Sequence, residues 1–213
     1  MPQLWIIAGP NGAGKTTLTE KVNAGRIPVV NPDEIAFKLN SSDVSQVALK
    51  AGREAIRQQK AFLVSKKNFV IETTLSGNRE LDLISKAQKE GFKVNLVYVG
   101  LENKDFSISR IASRVQKGGH NIPIADAVRR YPRSMQNLAE ALNQADRAFV
   151  LDNSGKRSRL LITKENGKFR NLSPKLPGWF LKAVPALKKN KNLTKVQRLQ
   201  VKKQFDKLQS LGR

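Results

Sequence analysis

A chain of 213 residues has room for one α/β domain of ordinary size and an appendage. It has no cysteine, which excludes disulfides and thiol chemistry, and no apolar run near the roughly 18 residues that a membrane-spanning helix needs. Its net charge of +22 is unevenly placed: residues 1–152 hold 22 Lys/Arg against 15 Asp/Glu, and residues 153–213 hold 17 against 2. Such a basic segment attracts nucleic acid, an anionic substrate or an acidic protein, or else forms a solvated tail. The N-terminus runs straight into a strand, which leaves no space for a signal peptide and makes the cytoplasm the expected location.

Strand-like and helix-like stretches alternate over the first 150 or so residues, the pattern of βαβ units around a parallel sheet. Leu4-Trp5-Ile6-Ile7-Ala8 reads as a buried strand and Thr17-Leu18-Thr19-Glu20-Lys21-Val22 as the opening of a helix. Ile27-Pro28-Val29-Val30-Asn31 is a short second strand. The spacing of Val47, Ala51, Ala55, Ile56, Phe62 and Leu63 predicts a long helix over about 45–67. Phe69-Val70-Ile71-Glu72-Thr73 is the third strand, followed by a helix over about 79–90 that Gly91 ends. Val94-Asn95-Leu96-Val97-Tyr98-Val99 and Ala148-Phe149-Val150-Leu151-Asp152 are the fourth and fifth strands.

Between those two lies an arginine-rich helical region with Arg110, Arg114, Arg129, Arg130 and Arg133, broken at Gly118-Gly119 and Pro123. Beyond Asp152, two β-rich runs flank Glu165-Asn166-Gly167 and predict a hairpin. Residues 172–185 are punctuated by proline, and Trp179 and Phe180 there read as exposed. The chain ends in a Lys-rich helix with Thr194 as candidate N-cap and Val196, Leu199, Phe205 and Leu208 loosely on one face.

The chemistry is concentrated in Gly9-Pro10-Asn11-Gly12-Ala13-Gly14-Lys15-Thr16, with Thr17 following: G-x-x-x-x-G-K-T between a strand and a helix. A glycine-rich turn there makes a nest of backbone N–H groups aimed at a polyphosphate. Lys15 is expected to reach the β- and γ-phosphates and the Thr16 hydroxyl to hold Mg²⁺. The expected fold is thus a P-loop NTPase- or kinase-like parallel sheet of about five strands flanked by helices. Its kinase core spans 1–155, with a helical lid at about 104–145 and a basic C-terminal extension at 156–213.

Further residues narrow the class. Asp33, just past the second strand, is placed to accept the proton of an attacking hydroxyl or to N-cap the next helix, and both roles can hold. Glu72 closes a buried strand in the Walker B position, where it can hold Mg²⁺ through water or bind substrate alongside Thr73 and Thr74. Arg110 and Arg114 share a helical face and suit a lid that neutralises the transferred phosphoryl group. Leu75-Ser76-Gly77-Asn78 lacks the second Gly and the Gln of a transporter signature, and Asn103-Lys104-Asp105 is one residue short of the guanine-reading N-K-x-D. That favours ATP as the nucleotide.

The ordered set G-P-N-G-A-G-K-T-T, V-N-P-D-E-I-A, F-V-I-E-T-T-L-S-G, an arginine helix and G-G-H-N-I-P resembles the zeta-toxin family of P-loop kinases, specifically its short stand-alone branch. The resemblance covers about residues 2–155. It implies an ATP- and Mg²⁺-dependent kinase that phosphorylates a sugar hydroxyl of UDP-N-acetylglucosamine or a related nucleotide sugar, held inactive by a cognate antitoxin. It also implies Asp33 as general base, Glu72 as the strand-end acid near the substrate, and Arg110 or Arg114 as the lid arginine on the γ-phosphate. The family's second phosphate-binding arginine falls close to His120, a neutral group at pH 7 that replaces arginine poorly, or is supplied by Arg129 or Arg130. The basic extension has no counterpart in the resemblance. It leaves open a kinase acting on nucleic acid or another polyanion, and a docking surface for an acidic antitoxin that includes Trp179 and Phe180.

Overall fold

The computed structural model describes residues 1–23, 25–119, 121–188 and 194–195. Five parallel strands form the centre: β1 (Gln3–Ala8), β2 (Val29–Val30), β3 (Phe69–Thr73), β4 (Lys93–Gly100) and β5 (Arg147–Asp152). Their order is β2-β3-β1-β4-β5, so the chain leaves β1 to one side and returns on the other. The crevice beyond the carboxyl end of β1 is therefore the topological switch point, where open α/β sheets bind their ligands.

Alternation along each strand builds both faces. Leu4, Ile6 and Ala8 join Leu96 and Tyr98 on one side, where α3 (Val44–Val64), α4 (Arg79–Lys89) and α6 (Ile124–Gln144) cover them with Ala55, Leu63, Ile84, Leu138 and Leu142. Trp5, Ile7, Val97 and Phe149 face the other side with Val22 of α1 (Lys15–Asn23). At the end of α4, Gly91 adopts φ +78° and Phe92 N–H returns to Ala87 O, closing the helix as the sequence predicts.

The sheet is larger than expected, with eight strands among the described residues instead of about five. The Asn166-Gly167 turn, with both residues at positive φ, joins β6 (Arg159–Glu165) to β7 (Lys168–Asn171), and β6 pairs antiparallel with β5. The hairpin thus continues the central sheet across residue 155 and hides the edge that β5 would otherwise expose. Thr194 lies in a two-residue strand, β8 (Thr194–Lys195), paired with Arg170 and Asn171, instead of capping a helix. Val196, Leu199, Phe205 and Leu208 lie outside the described residues. Among the described residues no helix is long and apolar enough to cross a membrane.

Trp179 and Phe180 correct the reading of the C-terminal segment as a solvated surface. Both lie on α7 (Gly178–Ala183), which precedes the short α8 (Pro185–Lys188), and both are buried, at 6% and 0% exposure. Gly100 leaves room for the Trp179 ring, which a Cβ there would strike, and Tyr98 packs beside it. The indole N–H donates to Asp152 Oδ1 at 3.2 Å. Proline punctuation marked a loop, and the sequence carried no sign that an aromatic pair would fold back under it. Trp179→Ala is expected to cost about 3–5 kcal/mol of stability, read from urea unfolding. An unchanged midpoint would mean that α7 is not docked.

Candidate active site

The P-loop leaves β1 at Gly9, whose φ of +141° and approach to Val99 O exclude a side chain. Gly12, at φ +71°, passes under α5 (Lys104–Gln116), where a Cβ would lie 2.8 Å from Ser107 O. Pro10, Ala13 and Gly14 complete the turn into α1. Lys15 is half-buried in the fold of the loop, its ammonium donating to Pro10 O at 3.1 Å. Burial lowers its pKa, with Glu72 and Asp33 opposing that shift.

Parallel pairing sets Glu72 of β3 opposite Ile7 of β1, one residue short of the strand end. That register brings its carboxylate to the P-loop: Thr16 Oγ1 donates to Glu72 Oε2 at 2.9 Å, and Asn31 Nδ2 donates to the same oxygen at 3.1 Å. Glu72 is 4% exposed, and its Oε1 is buried without a hydrogen-bond partner. Burial raises its pKa, partly offset by hydroxyl hydrogen bonds and Lys15. Burial thus disfavours charge of both signs at the foot of the loop.

Asn31 is the residue the sequence reading missed. It caps α2 (Pro32–Leu39), its Oδ1 accepting from Asp33 N–H at 3.0 Å, with Pro32 in the first turn. The signal was present in Asn-Pro-Asp-Glu, where Asn followed by Pro spells N-cap and N1. Because Asn31 does the capping, the alternative role for Asp33 as cap falls away and its carboxylate stands in the first turn, facing the cleft.

That cleft has a volume of about 890 Å³. Asn11, Gly12, Lys15, Thr16 and Thr17 line one end, and Asp33, Glu72, Thr73 and Thr74 line the middle. Thr73 Oγ1 donates to Glu80 Oε1 at 3.0 Å, and Thr74 shares a hydrogen bond with Ser76. Phe37, Ala48 and Leu83 supply an apolar wall beyond them.

The lid arginines separate cleanly. Arg114 enters the cleft with Gly119 packed on its stem, and its Nε and Nη2 are buried without a partner. Burial lowers its pKa and Asp33 opposes that, so the two face each other electrostatically. Arg130 also lines the cleft, tethered to Asp126 at 3.1 Å. Arg110 does not line it: its Nη2 donates to Asn153 O at 2.6 Å behind the P-loop. Arg129 pairs with Asp126 at 2.7 Å with its side chain about half exposed. His120 lies outside the described residues.

A Walker A loop on β1, an acid on the adjacent strand and a two-helix lid define the class of the P-loop kinases. The sequence profile of the family described as zeta toxin matches residues 1–165, and the chain belongs to that family. An uncharacterized protein of Haemophilus influenzae (strain Rd) is 32% identical over 127 residues, covering 56% of this chain and 91% of that one. Among solved structures, the complex of AvrRxo1-ORF1 with AvrRxo1-ORF2, holding sulphate ions, superposes with a TM-score of 0.66 at 18% identity over 79% of this chain and 60% of that one. The match therefore spans less than two thirds of that chain's length. The PezAT chromosomal toxin–antitoxin system of Streptococcus pneumoniae superposes at 0.60 and 17% identity over 98% of this chain and 87% of that one.

Lys15→Ala is expected to remove the stabilisation that ATP with Mg²⁺ gives, measured as the shift in melting temperature at saturating nucleotide. A variant that still shifts like the parent would exclude the loop as the nucleotide site.

Proposed function

We propose that this protein transfers the γ-phosphate of ATP to a sugar hydroxyl of a nucleotide sugar, UDP-N-acetylglucosamine or a relative, as the toxin of a toxin–antitoxin pair. The observation that carries the reading is the placement of Asp33: a carboxylate freed from capping by Asn31 lines the same cleft as Lys15 and Arg114. A hydroxyl seated against Asp33 gives up its proton there as its oxygen attacks phosphorus. Lys15, Arg114 and Arg130 surround the transferring group with donors and charge that need not reorganise. ATP supplies the phosphoryl group and, in its triphosphate, an anion for the Arg114 Nε and Nη2 atoms that have no partner.

Mg²⁺ fits the residues present. Thr16 Oγ1 and Glu72 meet at 2.9 Å, and the second carboxylate oxygen of Glu72 has no protein partner. Among the described residues no group of three or more acidic, His or Cys side chains forms a cage. That suits Mg²⁺, which keeps waters and binds through one or two protein oxygens plus substrate phosphates.

The lining of the cleft supports a hydroxylated acceptor. Asp33, Glu34, Glu80, Thr73 and Thr74 contribute to it, with Lys38 and Arg79. Carboxylates and hydroxyls beside Phe37 suit the hydroxyls of a sugar. The alternative of a nucleic-acid kinase rests on the basic segment after residue 152. An acidic antitoxin as partner is supported by the charge of that segment and by the paired proteins in the PezAT and AvrRxo1 structures. In the first of these the pairing is named a toxin–antitoxin system.

Asp33→Asn is expected to bind ATP like the parent but transfer phosphate about 10²–10⁴-fold more slowly, followed by mass spectrometry of reactions with ATP and candidate nucleotide sugars. Full transfer by this variant would remove Asp33 as base. Arg114→Ala should lower kcat about 10²–10³-fold, while Arg129→Ala, at the exposed position, should change it little. Equal losses in the two would contradict the division of the lid described above.

A further inference from the structure

Asn153, the first residue after β5, bonds in three directions. Its backbone N–H donates to Gly100 O at the end of β4 (2.9 Å), and its side-chain Nδ2 donates to Ala13 O inside the P-loop (2.9 Å). Its own carbonyl accepts from Arg110 Nη2 of α5 (2.6 Å). A Cβ on Gly14 would meet the Asn153 amide at 3.0 Å, so the turn lies directly against the loop. On the next residue back, Asp152 Oδ1 accepts from Ser154 Oγ (2.6 Å) and from the buried indole of Trp179 (3.2 Å), while Oδ2 accepts from Arg159.

These contacts answer a requirement of the P-loop itself. Its N–H groups can converge on a phosphate only when the carbonyls of the same turn point outward, and each buried outward carbonyl then needs a donor. Pro10 O receives Lys15 Nζ and Ala13 N–H, Asn11 O receives Ser107 Oγ at 2.5 Å, and Ala13 O receives Asn153 Nδ2. The two donors to Pro10 O belong to the motif. The other two come from α5 and from the turn after β5, 96 and 140 residues downstream.

We infer that Asn153 is a positioning residue of the nucleotide site, holding the P-loop in its phosphate-binding shape through Ala13 and tying the lid helix α5 to it through Arg110. Arg110 acts through Asn153 and not on the transferred phosphate. Trp179, which lies beyond the family match at 1–165, keeps the Asn153 turn in place by way of Asp152. The segment after residue 165 is then part of the nucleotide-binding unit. The inference rests on the proposed function only as far as nucleotide binding.

The test uses the full chain. ATP with Mg²⁺ is titrated calorimetrically without acceptor into the parent, Asn153→Ala, Asn153→Asp and, as reference, Lys15→Ala; ligand-free melting and steady-state kinetics follow. Asn153→Ala is expected to weaken ATP binding roughly three- to tenfold, the equivalent of one hydrogen bond. Asn153→Asp should lose more, because its carboxylate faces both Ala13 O and the triphosphate. The loss should appear in KM for ATP and not in kcat, without a matching fall in ligand-free melting temperature. Arg110→Met should show the same split, and Trp179→Phe, which keeps an aromatic ring but deletes the indole N–H, a smaller rise in KM. Parental ATP affinity in Asn153→Ala would overturn the inference, as would a loss matched by ligand-free destabilisation, or an Arg110→Met variant that loses kcat at unchanged KM. Parental binding by Lys15→Ala would instead remove the nucleotide site itself, which separates the two failures.

Discussion

One buried carboxylate organises the working end of this sheet. Glu72 is lifted from solvent by the parallel pairing of β3 with β1, and its Oε2 accepts from both Thr16 and Asn31. Those donors begin α1 and α2, so a single oxygen ties the phosphate-binding helix to the helix that carries Asp33. Removing a carboxylate from water is costly, and here threonine hydroxyls and the nearby Lys15 ammonium offset only part of that cost. The same strain marks Lys15 and Arg114, whose charged forms burial also penalises. A site that disfavours its own charges in this way gains from a polyanion accompanied by a divalent cation.

The lid and the C-terminal segment divide the remaining work. Arg114 and Arg130 are turned into the cleft, while Arg110, one helical turn from Arg114, is turned away to the Asn153 turn. The helix α5 can therefore present charge on one side and be anchored on the other. Lys164 shows that the basic excess also has a structural use: buried under the end of α6, it donates to the carbonyls of Leu142, Asn143 and Ala145 that the helix leaves unpaired. At least one of the cations counted toward a binding tail is thus a helix cap inside the sheet layer.

Local patterns with a short reach were legible in advance. The P-loop, the central strands, the Gly91 stop and the Asn166-Gly167 turn each follow from residues within a few positions of one another. The Asp33 side chain was legible as an acid after β2, but a capping role also fitted it, and only the neighbouring cap at Asn31 removed that role. What escaped the sequence was long-range. Arg110 and Arg114 are equivalent by helical spacing, and their difference lies in Asn153, more than forty residues later. Trp179 and Phe180 sit in a proline-rich stretch with no periodicity, and their burial depends on Gly100 having no side chain.

The amino-acid sequence by itself determined that a triphosphate-binding loop lies between a buried strand and a helix, because that chemistry is written in contiguous residues with fixed backbone demands. It also determined the family, through the order of four short motifs. Only the tertiary structure decided which charges face the cleft, which polar atoms are left without partners, and where the C-terminal segment goes. Those depend on strand register and on donors far apart in the chain, and no local pattern encodes such pairings.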